Sequence, residues 1–126
     1  MVKPRKSVLI IDDSETNLLL MQTVLNNKGW NIETASSGKI AMEMIKDKPP
    51  DLILLDLLMP EVDGQQMLEW LKSDDGLKDI PVVVISAVNA KKTIETCLGK
   101  GAAYYMPKPV KIKELIEIIQ KTIHKG

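Results

Sequence analysis

Short apolar runs alternate with amphipathic segments along the chain, and this alternation constrains the fold more than any other feature. Val8–Ile11, Leu52–Leu55 and Val82–Ile85 are continuous apolar runs, as expected for strands covered on both faces. Ile32–Ala35 and Ala102–Tyr105 are two further short strand candidates. Apolar residues between and after these runs recur at the 3.6-residue spacing of helices. The pattern therefore predicts five strand–helix units.

The residues flanking the predicted helices suit helix starts and stops. Asp13 or Ser14 is expected to cap the first helix and Gly29 to end it. Ser36–Ser37 opens the second, and Pro49–Pro50 prevents its continuation. The apolar residues expected to face the core are Leu18, Met21 and Leu25 in the first helix, Ile40, Ala41, Met44 and Ile45 in the second, Met67, Leu68 and Leu71 in the third, Ile94, Cys97 and Leu98 in the fourth, and Ile112, Leu115, Ile116, Ile119 and Ile123 in the fifth.

A (βα)5 pattern predicts the α/β class, with a doubly wound, five-stranded parallel sheet and right-handed crossovers. For five strands we expect the flavodoxin-like order 2-1-3-4-5. Strands 1 and 3 then lie side by side at the switch point, where ligands bind beyond the carboxyl ends of the strands. A chain of 126 residues has room for one core. We expect a short N-terminal tail at residues 1–6 and one domain over residues 7–126.

Composition excludes several classes of partner. Lys plus Arg and Asp plus Glu number 17 each, so the chain lacks the basic footprint of a protein that binds nucleic acid directly or docks on an anionic membrane. No apolar run approaches the roughly 20 residues that span a bilayer. The single cysteine, Cys97, has no intramolecular partner, which indicates a reducing cytoplasm.

Polar residues stand where four of the predicted strands end. Asp12 and Asp13 follow the first strand, Asp56 follows the third, Ser86 the fourth, and Lys108 comes soon after the fifth. In the expected strand order the three carboxylates crowd one crevice, where they repel one another unless a cation intervenes. A hard, oxygen-liganded ion such as Mg²⁺ suits them. Cys and His ligands for softer metals are not near in the sequence.

Ser86 and Lys108 add a hydroxyl and an ammonium to the same crevice. A tetrahedral oxyanion held on Asp56 would need such groups. Each feature alone is ordinary, since paired acids often cap helices and a serine after a strand is usually structural. Their joint placement at one edge of the sheet predicts a magnesium-assisted site in which an aspartate accepts a phosphoryl group.

This constellation closely resembles the receiver domains of two-component response regulators, over residues 7–123. The matching stretches are Ile11-Asp12-Asp13, Leu54-Leu55-Asp56-Leu57-Leu58-Met59-Pro60, Asp63-Gly64, Val84-Ile85-Ser86-Ala87 and Lys108-Pro109. The resemblance implies that residues 7–126 form a receiver domain active in a phosphorelay. Its Asp56 would receive the phosphoryl group from a phosphohistidine.

The resemblance also implies roles for the residues around Asp56. Mg²⁺ would be held by Asp12 or Asp13, by Asp56 and by the backbone carbonyl of Leu58. Ser86 and Lys108 would contact the phosphoryl oxygens. Tyr105 stands at the place of an aromatic that turns inward when the hydroxyl residue moves. The Lys108–Pro109 bond is often cis in the family.

The implied partners are a histidine kinase or phosphotransfer protein and a downstream protein or output domain. The last two helices and the strand between them would form the switching face, through which homodimerisation stays open. Catalysis would be limited to Mg²⁺-dependent self-phosphorylation and slow autodephosphorylation. Leu58 and Val88 are apolar at two variable positions that influence how an attacking water is held, which leaves the lifetime of the phosphorylated form open.

Two alternative functions are also considered for this chain. A haloacid-dehalogenase-type phosphatase also uses Mg²⁺ and an aspartyl phosphate, but its two aspartates are separated by one residue, whereas Asp12 and Asp13 are adjacent. A binding module that never needs phosphorylation would have no reason to concentrate unpaired carboxylates. Turnover of p-nitrophenyl phosphate would favour the first, and partner affinity unaffected by a phosphoryl mimic would favour the second.

Overall fold

Five parallel strands and five helices alternate along the chain, in a computed structural model that describes residues 5–59 and 63–123. Part of the expected tail, residues 1–4, lies outside the described residues, as do Pro60 of the quoted motif and residues 124–126. The elements are β1 (Ser7–Ile11), α1 (Glu15–Leu25), a short 3-10 turn (Asn26–Lys28), β2 (Asn31–Ala35), α2 (Gly38–Asp47), β3 (Leu52–Asp56), α3 (Gly64–Ser73), β4 (Val82–Ser86), α4 (Lys91–Gly99), β5 (Tyr104–Pro107) and α5 (Ile112–Ile123).

The strands form one sheet in the order β2-β1-β3-β4-β5, which confirms the predicted topology. All four pairings are parallel. Ile11 lies opposite Leu55, so β1 and β3 end almost level. On the other side of β3, Asp56 lies opposite Ile85, one residue before Ser86. The register therefore brings the polar ends of β1, β3 and β4 to the same edge of the sheet.

Helices cover both faces of the sheet, as a doubly wound fold requires. Successive strand residues point to opposite faces, and the core consequently has two halves. Helices α1 and α5 pack over one half, with buried residues Leu18, Met21, Leu25, Leu115, Ile119 and Ile123. Helices α2, α3 and α4 pack over the other, with buried residues Ala41, Ile45, Met67, Leu68, Leu71 and Cys97.

The prediction that Ile40 and Leu98 face the core was wrong. Ile40 and Leu98 are exposed, at 45% and 44% of their surface. In each helix an adjacent residue faces the core instead: Ala41, which follows Ile40, and Cys97, which precedes Leu98. Ile40 and Leu98 are therefore rotated by about 100° from residues that already fill the space.

The fifth strand begins two residues later than the sequence suggested. The amide of Ala102 still donates to the carbonyl of Cys97, at 3.1 Å, and so closes the end of α4. Gly101 lies in the left-handed region with φ of 108°, which a glycine adopts without steric cost. This chain reversal uses residues 101–103, so that β5 starts at Tyr104 and Lys108 follows directly after it.

Candidate functional site

The end of β1 supplies two acidic side chains with different surroundings. Asp12 is 4% exposed, and one of its carboxylate oxygens accepts a hydrogen bond from the amide of Ser14 at 2.9 Å. Ser14 in turn caps α1 by accepting from the amide of Asn17. Asp13 is exposed. The cap thus belongs to Ser14, one of the two predicted candidates, which leaves both aspartates at the edge of the crevice.

Asp56 ends β3 and is 5% exposed. The amide of Leu58 donates to its carboxylate at 3.2 Å. Burial raises the pKa of Asp56 above its ordinary value, and the negative charge of Asp12 adds to this effect. The hydrogen bond from Leu58 and the charge of Lys108 offset part of that rise in pKa. Asp56 is therefore a carboxylate whose ionised form needs positive charge nearby.

Lys108 reaches into the crevice from the loop after β5. Its Nζ lies 3.3 Å from a carboxylate oxygen of Asp12 and 3.4 Å from one of Asp56. Its backbone amide donates to the carbonyl of Ser86 at 2.9 Å, and the following bond to Pro109 is cis. Burial lowers the pKa of Lys108, but the charges of Asp56 and Asp12 outweigh burial and raise that pKa overall. The ammonium thus bridges the two buried carboxylates.

The three aspartates are close enough to share one cation. One carboxylate oxygen from each of Asp12, Asp13 and Asp56 lies within 4.8 Å of the other two. Lys108 neutralises one of the three negative charges, so the cluster retains an excess of about two. Hard oxygen ligands with this excess charge suit Mg²⁺, which takes one or two carboxylates and keeps several waters. The donor set of the crevice therefore fits the ion expected from the sequence.

Ser86 and Tyr105 meet beside the crevice. Ser86 is fully buried, and its hydroxyl oxygen accepts a hydrogen bond from the amide of Val88 at 3.1 Å. The hydroxyl of Tyr105 donates to the carbonyl of Val88. Burial raises the pKa of the Tyr105 phenol, and a hydrogen bond with Ser86 offsets part of the rise. The aromatic ring is thus turned inward, towards the loop that follows Ser86.

Two features of the site escaped sequence reasoning. The first is the carbonyl of Val88, which accepts the hydrogen bond from Tyr105. Every residue has a backbone carbonyl, so the sequence does not indicate which one serves as the acceptor. Gly64 is the second: a Cβ atom on it would lie 2.4 Å from Cα of Leu57 and 2.5 Å from the carbonyl oxygen of Asp56. The Asp63-Gly64 pair was part of the quoted pattern, but its steric reason appears only in three dimensions.

An apolar groove opens directly from the crevice, between α1 and the start of α5. Its volume is about 270 Å³. Asp12 and Lys108 form its polar end, and the remaining lining residues are Asn17, Leu20, Met21, Val24, Pro109, Val110 and Ile112. Leu20 is 60% exposed at the rim, and Leu19 beside it is 66% exposed. A partner's side chain could thus approach the carboxylates along an apolar surface.

Comparison with known proteins gives the family. Residues 8–120 match the response regulator receiver domain. The chain is 35% identical over 115 residues to the polar-differentiation response regulator DivK of Brucella anthropi, covering 91% of this chain and 94% of that protein.

Two solved structures also resemble this fold. The receiver domain of a signal transduction histidine kinase from Syntrophus aciditrophicus is 29% identical with a TM-score of 0.88, over 95% of this chain and 91% of the other. The N-terminal domain of a response regulator receiver protein from Methanoculleus marisnigri is 33% identical with a TM-score of 0.75, over 91% and 94%.

Among the described residues, none of the helices has the length and apolar character needed to cross a membrane. Receiver domains generally act as non-catalytic signalling proteins, bind Mg²⁺ at an acidic aspartate cluster, and interact with histidine kinases and downstream effectors. The chain belongs to the response regulator receiver domain family and is a receiver of two-component phosphorelay signalling.

Proposed function

We propose that Asp56 is the phosphoryl acceptor of this receiver. One observation carries the assignment: its buried carboxylate lies 3.4 Å from Nζ of Lys108 and within 4.8 Å of the Asp12 and Asp13 carboxylates. Asp12 is equally buried and accepts the same kinds of hydrogen bond, from the amide of Ser14 and from Lys108, so position separates it from Asp56. Asp13 is exposed. Asp56 also sits centrally, on the strand between β1 and β4.

In this proposal Asp12, Asp13 and Asp56 hold Mg²⁺, together with the backbone carbonyl of Leu58. When bound, the ion supplies positive charge that offsets the carboxylates and the incoming phosphoryl oxygens. Lys108 supplies a second positive charge from the side of β5. The pKa of Lys108 is raised by its two carboxylate partners, so the side chain stays an ammonium at neutral pH.

The transfer is an in-line displacement. A carboxylate oxygen of Asp56 forms a bond to phosphorus while the bond from phosphorus to the donor's imidazole nitrogen breaks, and the electron pair of that bond stays with the imidazole. Lys108 and the Ser86 hydroxyl then donate to the phosphoryl oxygens. Positioning and charge neutralisation account for most of the rate in such a reaction.

The phosphodonor is a histidine kinase or a phosphotransfer protein, and we place it over the groove between α1 and α5. The groove ends at Asp12 and Lys108, so an imidazole carried along it would reach Asp56. Leu20, which lines the groove and is 60% exposed, offers apolar contact area at its rim. Because the only cysteine is free and buried, we place the reaction in the cytoplasm.

The downstream response passes through Ser86 and Tyr105 to the face formed by α4, β5 and α5. Ser86 ends β4, and Tyr105 contacts the loop between β4 and α4 through Val88. A phosphoryl group on Asp56 changes the charge beside Ser86 and so shifts the population of conformers at this face. A downstream protein or an output domain would read the face, and a second copy of the chain is a further candidate.

Catalysis by this chain is limited to its own phosphorylation and a slow loss of the phosphoryl group. Leu58 is 56% exposed and lies next to the site, and Val88 borders it beyond Ser86. Both side chains are apolar, so neither can orient an attacking water by hydrogen bonding. The aspartyl phosphate should therefore persist once it is formed.

Intact mass after incubation with acetyl phosphate and Mg²⁺ tests the acceptor. We expect a gain of one phosphoryl group, absent with EDTA and absent in Asp56→Asn. Asp75→Asn serves as the matched control, because its side chain is 99% exposed and lies in the loop after α3. This variant should gain the same mass as the parent chain.

Two results would contradict the proposal. Undiminished labelling of Asp56→Asn would place the acceptor elsewhere. Multiple turnover of p-nitrophenyl phosphate, lost in the same variant, would indicate a phosphatase instead of a signalling receiver. The same samples serve for both measurements, so the two outcomes are compared under one set of conditions.

A further inference from the structure

The first turn of α1 carries an asparagine that lines the groove beside the crevice. Asn17 is half-buried and lies at the polar end of the groove, together with Asp12 and Lys108. The other six lining residues have hydrocarbon or thioether side chains. An ammonium such as that of Lys108 donates hydrogen bonds and accepts none. Asp12 and Asn17 are therefore the two lining residues whose side chains are strong hydrogen-bond acceptors.

The corresponding residue of α3 has a structural role that Asn17 lacks. Gln66, the third residue of α3, accepts a hydrogen bond from the amide of the capping residue Asp63 at 3.1 Å and so completes a capping box. Asn17 is the third residue of α1, but the amide of its capping residue, Ser14, donates to the Asp12 carboxylate at 2.9 Å instead. Among the residues that the structure describes, none forms a hydrogen bond with the Asn17 carboxamide, and only its backbone amide is engaged, by Ser14.

Helix formation and apolar packing do not explain Asn17 either. Asparagine is a weaker helix former than alanine or leucine. Leu20, Met21 and Val24 follow it at the spacing of one helix face, and all three line the same groove. Asn17 thus places a carboxamide at the end of an apolar line. A polar group set among apolar residues in a groove suits a bound molecule that offers it a hydrogen bond.

We propose that Oδ1 of Asn17 accepts a hydrogen bond from the ring N–H of the phosphodonor's imidazole and so positions that ring for transfer to Asp56. The inference rests on the proposed function, of which it specifies one contact to the donor. A phosphorylated imidazole carries phosphorus on one ring nitrogen and, when protonated, a hydrogen on the other. With Asp12 assigned to Mg²⁺, Asn17 is the remaining strong acceptor side chain among the residues that line the ring's approach.

The hydrogen bond from Asn17 favours departure of the ring. As the bond from the Asp56 oxygen to phosphorus forms, the bond from phosphorus to the ring nitrogen breaks, and its electron pair goes to the ring. The protonated ring then leaves as neutral imidazole with its N–H still bound to Asn17, so the step needs no further proton. Acetyl phosphate has no ring N–H and releases acetate. Asn17 should therefore favour imidazole donors over acyl phosphates.

Labelling rates from two small donors test this assignment. Intact mass gives the initial rate of phosphoryl gain from phosphoimidazole and from acetyl phosphate, each with Mg²⁺. In Asn17→Leu, similar in shape but apolar, the ratio of the phosphoimidazole rate to the acetyl phosphate rate should fall about tenfold, as expected for the loss of one hydrogen bond. Asn17→Asp keeps an acceptor oxygen, so its ratio should equal or exceed that of the parent chain. Thr16→Val makes a similar polar-to-apolar change at an exposed neighbour that does not line the groove, and its ratio should match the parent's.

The outcomes separate this inference from the proposed function. An unchanged ratio in Asn17→Leu would overturn the assignment of Asn17 and leave the proposed function intact. An equal fall in Asn17→Asp would also overturn it, because the acceptor oxygen is still present in that variant. A parent chain that gains no phosphoryl group from either donor, or a gain that is undiminished in Asp56→Asn, would overturn the proposed function and this inference with it.

Discussion

At the scale of single residues, burial of the Asp56 carboxylate destabilises its ionised form, although the proposed function requires that carboxylate at this strand end. Its pKa is raised by burial, so the folded chain binds this proton more tightly than the unfolded chain does. The corresponding stability is complete below the ordinary pKa of 3.8 and is lost as pH rises through the folded-state pKa. Lys108 acts in the same sense but in a higher pH range: its pKa is also raised, so its contribution to stability is lost only when the pH rises above 10.5.

We therefore expect Asp56→Asn to stabilise the metal-free chain at neutral pH. The substitution removes a buried charge and its repulsion with Asp12, while Lys108 keeps Asp12 as a partner at 3.3 Å. A gain of about 1–2 kcal/mol is expected. Urea unfolding at pH 7 in EDTA measures it, and the gain should shrink as the pH approaches 4. Asp75→Asn should unfold like the parent chain, and an Asp56→Asn chain less stable than the parent at pH 7 would contradict the argument.

A second prediction at the residue scale concerns Leu58, which we expect to influence the lifetime of the phosphorylated form. An amide side chain there could orient a water towards the phosphoryl group, so Leu58→Asn should shorten the lifetime severalfold. Loss of the added phosphoryl mass with time, after removal of acetyl phosphate, gives the rate. Leu58→Met, similar in volume and apolar, should retain the parent lifetime. Equal rates for the Asn and Met variants would exclude this explanation.

At the scale of elements, the loop from β3 to α3 depends on one close approach. Gly64 begins α3, its amide donates to the carbonyl of Leu57 at 2.9 Å, and Asp63 and Gln66 form a capping box around it. No Cβ fits at Gly64, because it would overlap the backbone of Leu57 and Asp56. The first turn of α3 therefore lies directly against the strand end that carries Asp56, the proposed acceptor.

Gly64→Ala should consequently move the strand end or the helix. We expect a loss of roughly 2–4 kcal/mol of stability, since the overlap is with backbone atoms, and slower labelling by acetyl phosphate. Gly99→Ala is the matched control: it is also a helical glycine, but nothing lies within 4 Å of an added Cβ, and alanine suits a helix better. Thermal unfolding should separate the two variants, and a Gly64→Ala chain as stable as Gly99→Ala would refute the steric argument.

Helices and strands were predictable from the sequence where the spacing of apolar residues determines them. They were less predictable where backbone conformation or the packing of a helix determines the outcome. The apolar runs determined β1, β3 and β4, and their order followed from the parallel (βα)5 pattern. The predicted start of β5 was two residues too early, because the chain first reverses at Gly101 through a positive φ that the apolar pattern does not reveal. The exposure of Ile40 and Leu98 depends on how wide a strip each helix buries, which spacing alone does not give.

At the scale of the whole molecule, the site is assembled by topology. Asp12 and Lys108 are 96 positions apart in the chain and 3.3 Å apart in space. The sequence predicted this meeting because a 2-1-3-4-5 sheet brings all strand ends to one edge. It did not predict the inward Tyr105, since the rotamer of a side chain follows from its packing and from the backbone carbonyl of Val88.

Mg²⁺ should stabilise the whole fold through this assembled site. An ion at ten times its Kd adds about 1.4 kcal/mol, which for a domain of this size raises Tm by roughly 4–6 °C. Thermal unfolding with MgCl₂, against NaCl of equal ionic strength, measures the shift. Asp13→Asn is the sharpest variant, because Asp13 is exposed and contributes to the carboxylate cluster. Its metal-free Tm should match that of the parent, and its Mg²⁺ shift should be largely lost. A full shift in this variant would remove Asp13 from the proposed ligand set, leaving Asp12 and Asp56 as the carboxylates that hold the ion.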